Sequence, residues 1–154
     1  MKHIADCIFC KIAQGEAPCH KVWEDEKHVA FLSIFPNTEG FTVVITKEHQ
    51  DSYVAAVSEE VADGIFKAAR IVARKIDAAF PDVGRTGFMF EGFGVNHLHA
   101  KLFPMHGTSD ESWRQHKSHE QKFFTVYEGY MSSHDAERAD DAQLTEIAER
   151  IRNS

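Results

Sequence analysis

Two kinds of periodicity divide the chain. Between Ser58 and Phe80, the residues Val61, Ile65, Ala68, Ala69, Val72 and Ile76 recur at i, i+4, i+7 and i+8. That spacing predicts a helix with one buried stripe. Lys67, Arg70, Arg74 and Lys75 fall largely off the stripe, and Pro81 closes it. Ser58 suits the N-cap, and Glu59 and Glu60 suit the positive end of a helix dipole. The other period is two. In His97-Leu98-His99-Ala100-Lys101-Leu102-Phe103-Pro104 polar and apolar residues alternate. A strand over Asn96–Phe103 puts His97, His99 and Lys101 on one face and Leu98, Ala100 and Leu102 on the other.

The remaining elements are shorter. Residues 7–14 read as a short helix or turn, ended by Gly15 and Pro18. His20–Asp25 and His28–Ile34 read as strands about the polar turn Glu24–Lys27. Residues 35–40 form a loop on composition, and Phe41–Thr46 is a β-branched, buried strand. Thr86–Glu91 adds a strand before the turn Gly92-Phe93-Gly94. Residues 106–120 read as a polar surface loop holding His106, His116 and His119. Phe123–Tyr127 reads as an edge strand. An acidic approach over 135–141 leads to a terminal helix, Ala142–Ile151. Strands, one long helix, then strands define an α+β class.

Composition narrows the picture. A chain of 154 residues suits one core. Its net charge of −7 argues against nonspecific nucleic-acid binding. No run of about 18 apolar residues offers a membrane span, and no secretory signal is evident at the start. Three cysteines are an odd count, which fits a reducing cytoplasm better than a disulfide scaffold. Cys7-x-x-Cys10, with His49 and His97, supplies two sulfurs and two imidazoles. By residue type that is a tetrahedral zinc set. A redox pair and two plain thiols are the other readings of the same spacing.

The alternating strand also carries chemistry. Two imidazoles and an ammonium on one face suit a phosphate-bearing ligand. A neutral imidazole among cationic donors can attack phosphorus.

These residues, taken with others, resemble the histidine triad (HIT) family. Its opening is matched by Cys7-Ile8-Phe9-Cys10-Lys11-Ile12, Gly15-Glu16 and Val22-Trp23-Glu24-Asp25. Ala30-Phe31 and Gly40–His49 continue it in order, and His97–Pro104 fits the His-x-His-x-His-x-x-Pro spacing. The likeness covers about residues 7–106. It implies an antiparallel sheet with one long helix, organised as a nucleotide-binding domain over 1–106. Residues 107–154 would form a C-terminal extension packed on that domain, with the terminal helix in it. It also implies a homodimer that hydrolyses, or transfers a nucleotidyl group from, a purine nucleotide phosphoanhydride or phosphoramidate. Dinucleoside polyphosphates and adenosine phosphoramidates are examples. Some bacterial members carry a structural zinc through a similar Cys-x-x-Cys.

Carried onto this sequence, the resemblance makes His99 the nucleophile, with His97 and Lys101 as supporting donors. Ile8, Phe9, Phe31 and Ile34 would line the base pocket, and Ser33 would meet the ribose. His49 and Gly94 would lie near the phosphates. Three positions depart from the family. Lys101 stands where the third histidine belongs, Ser33 where an Asp or Asn is usual, and Gly94 near the place of a hydroxyl residue. These departures are the support for a rival expectation, a catalytically weak dimeric nucleotide sensor.

Overall fold

In a computed structural model, residues 2–115, 123–127 and 135–154 are described. The element order is α1 (Ile8–Gln14), β1 (Lys21–Glu24), β2 (His28–Leu32), β3 (Thr42–Thr46), α2 (Glu59–Ala79), β4 (Thr86–Met89), β5 (His99–Pro104) and α3 (Asp141–Arg152). The five strands form one antiparallel sheet in the order β1-β2-β3-β5-β4. The class is α+β, as the patterning predicts.

Each helix is bounded by the signals expected. The Ser58 hydroxyl accepts the Val61 N–H and opens α2. Gly15, at φ 76°, caps α1 in the left-handed region that glycine enters without strain. Asp140 caps α3 through the N–H groups of Ala142 and Gln143.

The sheet buries both faces. On one, Ala30, Leu32, Val44, Ala100 and Leu102 meet Ile65, Ala68, Ala69, Val72 and Ile76 of α2. Leu144, Ala148 and Ile151 of α3 join this same cluster. On the other, Val29, Phe31, Val43 and Ile45 pack with Phe9, Ile12 and Ala13 of α1. The predicted alternation in β5 holds, since Leu98, Ala100 and Leu102 lie in the α2 core.

Two expectations are corrected. The β5 ladder starts at His99, three residues later than the periodicity suggests. The ladder with β3 stops at the Ile45–His99 pair, where Leu98 donates to the Gln50 carbonyl instead, and His97 to Val95. Residues 123–127 form a bend and no strand. Their aromatic and β-branched composition raises strand propensity, but they pair with none of the five strands of the sheet.

Candidate functional site

Hydrogen bonding to the backbone fixes both histidines of the alternating segment. His97 is fully buried and donates Nε2–H to the Thr46 carbonyl at 2.7 Å. Its Nδ1 therefore presents a lone pair, 3.5 Å from the Sγ of Cys7 and of Cys10. His99, 2% exposed, donates Nδ1–H to the His97 carbonyl at 2.7 Å. Its lone pair is left on Nε2. Burial pushes the His97 pKa down to about 4, against the Thr46 hydrogen bond that opposes the shift. Burial also lowers the His99 pKa; the His97 carbonyl opposes this, and Lys101 adds to it. Both rings are neutral near pH 7. Phe9 stands edge-on to both, with ring centroids 5.9 Å from His97 and 5.5 Å from His99.

Cys7, Cys10, His49 and His97 form one buried cluster whose donor atoms all lie within 4.8 Å of one another. His49 Nδ1 is 3.5 Å from Cys10 Sγ. With Zn–S near 2.3 Å and Zn–N near 2.0–2.1 Å, a tetrahedral site has S···N edges of about 3.6 Å. The three sulfur–nitrogen separations match that edge, so the set fits zinc in type, number and spacing. Burial raises the Cys10 pKa and holds it as a thiol. A divalent cation reverses that preference. Cys7 at the N-cap of α1 and Cys10 within it carry the sulfurs, the segment after β3 carries His49, and the segment before β5 carries His97.

Lys101 lies two residues beyond His99 on the same face of β5. Its ammonium is 2.5 Å from a Glu91 carboxylate oxygen. The two side chains are 17% and 9% exposed. Met89 pairs with Lys101 across the β4–β5 ladder. β4 ends there, and Glu91 follows two residues on, outside the ladder. The charges of Lys101 and Glu91 both reach His99 and act in opposite senses.

The other candidates divide by place. Phe31 is buried and packs against Phe9 at 5.6 Å. Ile8 is 46% exposed on α1. The open turn at Gly94, φ 92°, has space where a Cβ would stand. Ser33 and Ile34 lie at the end of β2 toward the C-terminal segment. The Ser33 hydroxyl accepts the Phe35 N–H, and the Ile34 carbonyl accepts the Ala139 N–H. Ser33 also lines a cleft of about 460 Å³ with Glu39, Gln143 and Arg150. His49 sits in the cysteine cluster. His106 lies apart, bonded to Asp82 and the Glu39 carbonyl; His116 and His119 lie outside the described residues.

Sequence reasoning missed Glu91 and the Thr46 carbonyl. A lysine on a strand face beside the core was the available signal for Glu91, since such a charge requires a carboxylate partner. Thr46 acts through its backbone, for which side-chain identity gives no sign.

An antiparallel sheet that presents a backbone-oriented histidine behind a short helix defines the histidine triad class of α+β proteins. The HIT domain family model matches residues 14–108, and the chain belongs to that family. It is 37% identical to Protein hit of Bacillus subtilis over 122 residues, 74% of this chain and 83% of that one. It is 35% identical to the adenosine 5'-monophosphoramidase hnt1 of Schizosaccharomyces pombe, over 64% of this chain and 73% of that one. A zinc-bound histidine triad family protein from Mycobacterium smegmatis shares the fold. Its TM-score is 0.66 over 96% of this chain and 91% of its own, at 22% identity.

Proposed function

We propose that this protein is a nucleotide hydrolase or nucleotidyl transferase that works through a nucleotidyl-histidine at His99. The observation that carries the reading is the His99 hydrogen bond. Held through Nδ1–H by the His97 carbonyl, the ring keeps its lone pair on Nε2. That lone pair attacks the α-phosphorus of a bound purine nucleotide. The Nε2–P bond forms as the bond to the leaving group breaks, and the leaving group departs with the electron pair. Water, or another acceptor, then attacks phosphorus. The Nε2–P bond breaks, its electron pair returns to His99, and the proton of the acceptor passes to solvent. Catalysis here is positioning and charge stabilisation.

Phe9, Phe31, Ile8 and Ile34 hold the base in this reading, Ser33 the ribose, and the Gly94 turn a phosphate oxygen. The phosphoramidase activity named for the fission-yeast relative supports a phosphorus-centred reaction in this chain as well. The reading includes a homodimer in a reducing cytoplasm. Cys7, Cys10, His49 and His97 hold a structural zinc, which cross-links the site when bound and takes no part in the reaction. His97 thereby orients His99 through its carbonyl and is no phosphate donor.

His99→Ala abolishes turnover while nucleotide binding persists. Incubation with a nucleotide labelled at the α-phosphate, followed by alkaline quench, yields an acid-labile phosphohistidine in the parent chain and none in the variant. Wild-type rates in His99→Ala overturn the nucleophile assignment. Binding without any adduct, across substrates, favours the nucleotide sensor.

A further inference from the structure

The Glu91–Lys101 pair deepens the reading just given and rests on it. Where the family pattern has a third imidazole, this chain has an ammonium clamped to a carboxylate at 2.5 Å, both largely shielded from solvent. The two options differ chemically. An imidazole titrates near neutrality and can hand a proton to a departing group. A lysine ammonium is a donor of hydrogen bonds at that pH, with three N–H groups, and a fixed point charge. Lys101 follows His99 by two residues on β5, and the charges of both Lys101 and Glu91 act on the His99 ring, so the pair borders the nucleophile. The His99 ring offers no proton to the leaving group either, because its only N–H is committed to the His97 carbonyl.

We infer that the Glu91–Lys101 pair restricts this site to leaving groups that depart as stable anions, such as phosphates, pyrophosphate or acidic phenols, and disfavours amines and weakly acidic alcohols. In the first step the P–O bond breaks with its electron pair on oxygen, and an anion of low basicity leaves without a proton. An amine leaving from a phosphoramidate must gain one as the P–N bond breaks, and among the described residues beside His99 the donor is the Lys101 ammonium, held by Glu91 and a far weaker acid than the imidazolium it replaces. Lys101 touches the phosphoryl oxygens and stabilises their charge. Glu91 is a positioning residue: it holds the ammonium on the His99 face and balances its charge.

The test is a series of aryl esters of adenosine and guanosine monophosphate, graded in phenol acidity, with the phosphoramidates at the amine end. In the parent chain kcat/KM falls by at least about a hundredfold from the most acidic phenol to the amine, the usual worth of a missing general acid. The Glu91→Gln/Lys101→His double variant supplies an imidazole without a facing carboxylate. It compresses that range to about tenfold or less. Glu91→Gln alone lowers kcat more than it raises KM and leaves the range wide; Glu91→Asp restores kcat. Near-equal rates for acidic phenols and amines in the parent chain overturn the inference, as does a double variant whose range stays wide. If instead no phosphohistidine forms and His99→Ala is silent, the hydrolase reading fails first. The two failures are therefore distinguishable.

Discussion

Burial works against a positive charge on His106, yet both its ring nitrogens meet acceptors. Nε2 is 2.9 Å from the Glu39 carbonyl and Nδ1 is 3.0 Å from Asp82. Those acceptors outweigh the burial and raise the His106 pKa. A raised folded-state pKa adds stability that is complete below the ordinary histidine value, about 6.5. The contribution is lost as pH rises through the higher folded value. His106→Gln therefore costs more stability at about pH 5.5 than at about pH 9. Urea unfolding of both proteins at the two pH values checks this, and a constant difference contradicts it. At the same scale, His99 and its neighbours were legible because strand alternation is a property of sequence. The proton positions were not legible. They depend on carbonyls of His97 and Thr46, which any residue at those positions would supply.

Elements show the same division. α2 was readable nearly to the residue, since its stripe, cap and first-turn acids all agree. The strand bearing the site was misjudged at its start, because the ladder with β3 stops at Ile45–His99 and the Leu98 N–H turns to the Gln50 carbonyl. α1 is only seven residues long, too short to be stable by itself. Its lower face rests on Phe31 and its sulfurs reach the segments before β5 and after β3. A zinc ion in that cluster would fasten α1 to the strand carrying His99. Chelation of the purified protein accordingly lowers Tm. At a metal concentration about 1,000 times Kd the loss is about 4 kcal/mol, roughly 10 °C for a chain of this size. Cys10→Ala removes one ligand, so its Tm starts low and barely responds to chelator. Metal content by mass spectrometry should fall with it. An unchanged Tm after verified removal of zinc would show that α1 is held by apolar packing alone.

The whole molecule is tied together by the helix farthest from the site in sequence. Among the described residues, no helix is long and apolar enough to cross a membrane, and α3 spends its apolar stripe inside the protein. Leu144, Ala148 and Ile151 are buried in the cluster that also holds Ile65, Val72 and Ala100. Ala100 lies between His99 and Lys101, so the core that α3 completes is the one backing the face that carries them. Polar contacts reinforce the junction: His20 bonds Asp141 at 2.9 Å, and Lys75 donates to the carbonyls of Arg152 and Ser154. If residues 107–154 were a separable extension, damage to α3 would leave the sheet intact. The shared core argues for one cooperative unit. Ile151→Ala removes a fully buried side chain and costs about 2–5 kcal/mol. The loss should appear equally by far-ultraviolet circular dichroism and by fluorescence of Trp23, which packs against the same core. Trp113 is mutated to Phe beforehand so that one reporter remains. Coincident shifts in both transitions support a single unit. An early circular-dichroism change, with Trp23 unaffected, would mean that α3 detaches while the nucleotide-binding sheet stays folded.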